Sequence, residues 1–170
     1  SGGDTVVDQT PPGLGRDPKA LREIAAATGL NIIMGGGYYV QERHPEYLKE
    51  RTIDDIADRL IKEITVGVDD SGIRMGIIGE IGTGDPFTLG EEKVLRGSAR
   101  AQASTGIPLS IHHSIWGRHG PRVLDIAREE GADLKHTVLC HVDLDARCDL
   151  SYFEEVASTG AYLGFDTFGQ

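Results

Sequence analysis

The sequence predicts an α/β fold of short parallel strands alternating with helices, and three observations carry that prediction. Apolar runs of four or five residues alternate with amphipathic helical runs along the 170 residues. Three of those runs, Gly76–Glu80, Leu109–His112 and Thr137–His141, end on a metal-capable side chain. Their ends lie 32 and 29 residues apart, the length of one strand-plus-helix unit. The composition, 39% hydrophobic and 26% charged, is that of an ordinary globular domain with a core of its own. Such alternation implies right-handed parallel crossovers, in either an open doubly wound sheet or a closed barrel, and ligands collect at the carboxyl ends of the strands in both.

Each element has a local reason. Asp4-Thr5-Val6-Val7-Asp8 reads as a strand, and Asp17-Pro18 caps a helix running to Thr28, with Leu21, Ile24 and Ala25 on one face and Gly29 as the stop. Asn31-Ile32-Ile33-Met34 is the next strand, after which Gly35-Gly36-Gly37 opens a long loop, Tyr38 to Arg51. Thr52 caps a helix with Ile53, Ile56, Ala57, Leu60, Ile61 and Ile64 at helical spacing. Strand 76–80 leads to a loop with Gly82, Gly84, Pro86 and Gly90, then to a helix over about 91–105 closed by Gly106-Ile107-Pro108. Strand 109–112 feeds the polar loop His113 to His119. A helix from Pro121 to Glu130, stopped by Gly131, leads to strand 137–141. The last helix, about Leu150 to Ser158, ends at Gly160 and hands over to a strand at Ala161 to Asp166.

About six strands are visible, whereas a closed eightfold barrel takes roughly 250 residues. The chain has no initiator Met and stops at Phe168-Gly169-Gln170, directly after a strand. The expectation is one partial barrel domain over residues 1–170, lacking the first and last strands and exposing strand edges where they would close the sheet. A complete six-stranded domain is the alternative.

Seventeen basic residues against 27 acidic ones give a net charge of −10, which disfavours nucleic acid as a partner. No run has the roughly eighteen apolar residues of a spanning helix, and Ser1-Gly2-Gly3-Asp4 has neither a basic segment nor an apolar signal core. A soluble, cytoplasmic protein with no membrane partner is therefore expected. Two cysteines, Cys140 and Cys148, suggest no disulfide framework, and Cys140 reads as a reduced interior thiol facing away from His141.

Period-two alternation sets Ile78 with Glu80, Ser110 with His112, and Thr137 and Leu139 with His141, all toward the lumen if the sheet closes. A carboxylate with two imidazoles suits a divalent transition metal. Taken singly, Glu80 reads as a partner for a distant arginine and each histidine as a hydrogen-bonded core imidazole. Taken together at one end of successive strands, the three form a candidate metal site. His113 is expected to face away, His119 belongs to the loop, His136 falls at the opposite end of its strand, and His44 sits in a charged loop without a chemical role. Asp143, two residues beyond His141, is placed to accept a proton or orient a ligand, and equally to cap a turn. Gly35-Gly36-Gly37 lacks the Lys-Ser/Thr of a P-loop, so close backbone approach accounts for it as well, which leaves Tyr38 and Tyr39 as candidate walls of a substrate pocket.

With Gly76-Ile77-Ile78-Gly79-Glu80-Ile81-Gly82, Ser110-Ile111-His112 and Cys140-His141-Val142-Asp143 in view, the chain resembles the phosphotriesterase-related proteins of the amidohydrolase superfamily. Asn31 to Val40, Gly67 to Ile73 and Gly164 to Phe168 extend the likeness along the whole length. The resemblance implies a (β/α)8 TIM-type barrel, of which residues 1–170 would span about the second to seventh strands. It also implies two divalent ions, usually zinc, bridged by a carboxylate and hydroxide that attacks an ester, lactone, amide or phosphoester. Glu80 matches the bridging position, a carboxylated lysine in true phosphotriesterases, and His112 and His141 match ligands of the second ion. The His-x-His pair and final Asp of that family have no counterpart in this sequence. A small-molecule substrate is implied, and a homodimer is the candidate assembly. The competing readings are a TatD-type deoxyribonuclease, which shares the Gly-Glu-Ile-Gly strand end, and a non-catalytic α/β binding domain.

Overall fold

A computed structural model describes residues 2–114, 116–144 and 149–167, without the side chain of Leu144. Cys148 and the closing Phe168-Gly169-Gln170 lie outside the described residues. Six strands form one sheet in sequence order, every neighbouring pair parallel. They are β1 (Thr5–Asp8), β2 (Asn31–Gly36), β3 (Ile77–Thr83), β4 (Leu109–His113), β5 (Thr137–Cys140) and β6 (Tyr162–Leu163), joined by α1 (Pro18–Thr28), α2 (Ile53–Thr65), α3 (Leu89–Thr105), α4 (Gly120–Glu129) and α5 (Leu150–Ser158). An unbroken sequential order of parallel strands with helices on the outside is an arc of a (β/α)8 barrel, about strands 2 to 7, rather than a doubly wound sheet, whose order reverses at a switch point.

The helix starts follow from capping chemistry. Asp17 accepts from the backbone of Lys19 and Ala20 ahead of Pro18. Thr52 and Asp55 close a capping box on α2, and Thr88 and Glu91 close another on α3, which begins two residues earlier than the spacing suggested. Among the described residues no helix is long and apolar enough to cross a membrane.

The core lies between the sheet and α2 to α4, where Ile78, Ile81, Leu95, Leu109, Ile111, Leu124, Ile126 and Leu139 are fully buried. The β1 end is thinner, with Val6 and Val7 about half exposed. Two glycines of β2 set close approaches. A Cβ on Gly35 would lie 2.7 Å from the Gly79 carbonyl, and one on Gly36 would lie 2.3 Å from the Arg16 guanidinium, so β2 runs two residues further than Met34 and needs glycine there.

Register corrects the alternation expected from sequence in two places. Ile78 pairs with Leu109 and Ile81 with Ile111, so three steps on β3 oppose two on β4. This extra residue is a bulge that turns Glu80 to the face opposite Ile78, not the same face. On β5, Cys140 pairs with His112, and Leu139 with the helix-facing Ile111. Thr137 and Leu139 therefore face the helices, whereas Cys140 faces the lumen, the reverse of the expectation. β6 is only two residues long, against the six expected.

Candidate metal centre

Glu80, His112 and His141 meet at the carboxyl ends of β3, β4 and β5, and their ligand atoms lie within 4.8 Å of one another. Glu80 lies on the bulged stretch of β3, and His112 reaches the lumen by ordinary alternation from Ser110. His141 comes directly after the last residue of β5 and has φ of 61°, a left-handed backbone that brings its ring back onto the lumen side where strand geometry alone would turn it away. For a residue with a Cβ that conformation costs about 1 kcal/mol, a strain typical of functional positions.

The carboxylate bridges the two imidazoles. Its Oε1 lies 2.9 Å from His141 Nε2 and its Oε2 lies 3.6 Å from His112 Nδ1, with the two rings edge to face at 4.9 Å. All three side chains are about four-fifths buried, at 19 to 22% exposed. His141 donates through Nδ1 to Asp166 Oδ1 at 2.7 Å, and the same carboxylate oxygen accepts from the His141 backbone N–H. The hydrogen bond to Glu80, opposed by burial and reinforced by Asp166, raises the His141 pKa to about 9. Burial lowers that of His112 despite the nearby Glu80 charge. Two imidazoles and the side-chain oxygens of Glu80 make a donor set that fits a divalent cation once His141 releases its Nε2 proton.

The structure separates the two tyrosines. The Tyr39 hydroxyl sits 3.2 Å from His112 Nε2, with its ring against the imidazole at 4.7 Å. Tyr38 is buried in the helix-facing core, hydroxyl to hydroxyl with Tyr47 at 3.4 Å, and its pKa is raised by burial. His44, without a chemical role in the sequence reading, braces this loop by donating to the Tyr39 carbonyl at 2.7 Å. Asp143 accepts from the backbone N–H groups of Asp166 and Thr167, tying the segment after β5 to the one after β6.

His113 is directed into the helix layer, where its Nε2 meets the Tyr152 hydroxyl at 2.7 Å. His119 stacks on Phe87 in the neighbouring loop, and His136 pairs with Asp133 at the far end of β5. Sequence reasoning missed Asp166 as a partner of His141. Its one signal was position, at the end of the apolar run 161–166, where the next strand's side chain would arrive at the same mouth.

The sequence model of the phosphotriesterase family matches residues 1–170. The N-acetyltaurine hydrolase of Danio rerio is 39% identical over 169 residues, which are 99% of this chain and 48% of that protein. The phosphotriesterase-related protein of Nematostella vectensis is 40% identical over 168 residues, again 99% and 48%. Among solved structures, a resiniferatoxin-binding protein from Rhodobacter sphaeroides superposes with a TM-score of 0.95 at 49% identity, covering 99% of this chain and 47% of that one. A phosphotriesterase homology protein from Escherichia coli, complexed with phosphate in its active site, superposes at 0.87 with 32% identity, covering 98% and 57%. The chain spans about half the length of the curated relatives it matches.

Proposed function

This chain belongs to the phosphotriesterase family, and from that premise we propose that it is the central part of a zinc-dependent hydrolase acting on a small ester, lactone, amide or phosphoester. Residues 1–170 form a partial barrel domain of that enzyme. One observation carries the reading: a carboxylate shared between two imidazoles on adjacent strands, at the end of the sheet where barrel enzymes do their chemistry. Glu80, His112 and His141 would help to hold the two divalent ions that this reading gives the intact protein.

Bound there, such ions supply Lewis acidity, lowering the pKa of a water and polarising the scissile group. The chain's own residues prepare the centre. Asp166 accepts a hydrogen bond from His141 Nδ1–H and so leaves Nε2 as the nitrogen that faces Glu80 and would take a cation on losing its proton, the carboxylate–histidine arrangement that fixes tautomer and ring orientation. Tyr39 places a hydroxyl against His112 where it borders a substrate. Asp143 assists by holding the backbone of Asp166 and, if freed, by accepting a proton.

The −10 charge favours a small-molecule substrate over nucleic acid, and a cytoplasmic homodimer is the proposed state. N-acyl amino sulfonates and N-acyl amino acids lead the substrate classes, because the relatives include a named N-acetyltaurine hydrolase and a phosphotriesterase-related protein. Metal analysis of the intact protein, then turnover of N-acyl amino acid, N-acyltaurine and lactone panels with zinc, tests the reading, with a magnesium-dependent nuclease assay as the control. Protein without bound divalent metal, or turnover of DNA alone, overturns it.

A further inference from the structure

One buried carboxylate at the carboxyl-end rim of the sheet has no part in the metal centre. Glu91, in the first turn of α3, is 1% exposed. Its two oxygens serve different parts of the chain. Oε2 accepts from the backbone N–H of Thr88 at 2.8 Å, closing the capping box of α3. Oε1 accepts at 3.1 Å from the backbone N–H of Gln41, 50 residues earlier in the loop after β2.

A helix cap alone does not need this arrangement. On α2 the same box is closed by Asp55, an exposed side chain one methylene shorter, whose Oδ2 accepts from both the Thr52 N–H and the Thr52 hydroxyl. Burying a carboxylate is costly unless its oxygens are hydrogen-bonded, and at Glu91 the second oxygen goes to the loop. The segment after β3 makes room for it: a Cβ on Gly84 would lie 2.9 Å from Glu91 Oε1.

Gln41 is where the loop turns. A tight turn over Gln41–Arg43 leads to His44, whose ring comes back to donate to the Tyr39 carbonyl at 2.7 Å. On the other side the loop lies against β3. The Gly82 N–H donates to the Tyr38 carbonyl at 3.1 Å, and a Cβ on Gly82 would stand 2.1 Å from Val40 N. Tyr39 is thus fixed between β3 and a turn that Glu91 anchors, with its hydroxyl 3.2 Å from His112 Nε2.

We propose that Glu91 is a positioning residue: through Gln41 it clamps the loop after β2 to the start of α3, and so sets the Tyr39 side chain against His112. This rests on the hydrolase reading, with Tyr39 bordering the substrate. The test measures three things on the intact protein: amide hydrogen exchange over residues 38–44, thermal unfolding, and KM and kcat on the panel substrate turned over best. Glu91→Asp keeps a carboxylate for the cap, as Asp55 does, but falls about 1.5 Å short of Gln41. It is expected to speed exchange by about 10- to 100-fold and to raise KM about tenfold with kcat little changed. Combined with Tyr39→Phe it is expected to add nothing to the KM of Tyr39→Phe alone. Thr88→Ala weakens the same cap without touching the bond to Gln41, so it is expected to lower Tm while exchange over 38–44 and KM stay at wild-type values.

Wild-type KM in Glu91→Asp overturns the proposal. So does a KM raised as much by Thr88→Ala, or a Glu91→Asp effect of the same size with and without Tyr39→Phe. If Glu91→Asp fails to fold, Gln41→Pro decides by the same measurements, since it removes the N–H from the loop side at the first position of a turn that follows extended Val40. A wild-type protein that turns over no member of the panel overturns the hydrolase reading instead, and exchange over 38–44 then decides the clamp alone.

Discussion

Two regions of the molecule concentrate ionisable side chains, the mouth of the sheet and the outer seam where α2, α3 and α4 meet, and they balance charge in opposite ways. On the seam the carboxylates are held by guanidiniums. Arg96 meets Glu130 at 2.6 Å, Glu92 at 2.7 Å and Glu129 at 3.1 Å, and Arg100 meets Glu130 at 2.7 Å and also pairs with Asp54. The hydrogen bond from Arg100 keeps the Glu130 carboxyl below the usual range, and that from Arg122 does the same for Glu129. At the mouth, the ion-pair partners of Glu80 and Asp166 among the described residues are imidazoles alone. Even with its pKa raised to about 9, the His141 imidazolium gives up its proton far more readily than a guanidinium does. The seam is closed upon itself, whereas the mouth can exchange a proton for a cation.

The largest effect expected from this contrast is at Glu80. Glu80→Gln should lower turnover by about a thousandfold or more, equivalent to about 4 kcal/mol at the transition state, and strip metal from a folded protein. Retained turnover on the substrate panel would remove the mouth's special status. Next comes Gly79→Ala, which sets a methyl against Ser110 and Gln9 at a positive φ of 151°. A loss of about 3 kcal/mol in denaturant unfolding is expected, and a neutral result would mean that β3 can shift without disturbing the centre.

The third is a pH effect on the metal-stripped protein. The folded pKa of His141, about 9, exceeds the 6.5 of an unperturbed imidazole. The stabilisation is therefore fully present below pH 6.5 and disappears as pH rises through about 9. Allowing for partial exposure, about 2 kcal/mol should be lost between those limits and largely hidden by added zinc. A flat profile would contradict the pairing with Glu80. The smallest effect belongs to the seam: Glu130→Gln should cost about 1 kcal/mol in thermal unfolding and leave zinc content unchanged. A change in zinc content there would erase the contrast between the two regions.

Much of the architecture is legible in the chain, for identifiable reasons. Apolar runs and caps are local, so five helices and six strands are readable from Asp17-Pro18, Thr52, Gly29, Gly106 and Gly131. Glu80, His112 and His141 are readable because each ends a strand, and a parallel sheet brings strand ends to one rim. Their joint position, not any residue alone, carries the signal. Alternation misleads where it is applied too strictly, placing Ile78 beside Glu80 and Cys140 opposite His141, because a bulge and a left-handed residue each reverse the direction in which the adjoining side chains face.

Local signals in the chain were enough for the order of elements, the parallel topology and the rim on which the metal-capable residues gather, since hydrophobic period, capping chemistry and strand-to-strand spacing are all local properties. It took the folded sheet to turn Cys140 to the lumen against Ser110, to bring Asp166 onto His141 from 25 residues away, and to set Tyr39 rather than Tyr38 beside His112. Those relations depend on register between strands and on backbone angles at single residues, which are set by pairing across the sheet and leave no period in the chain.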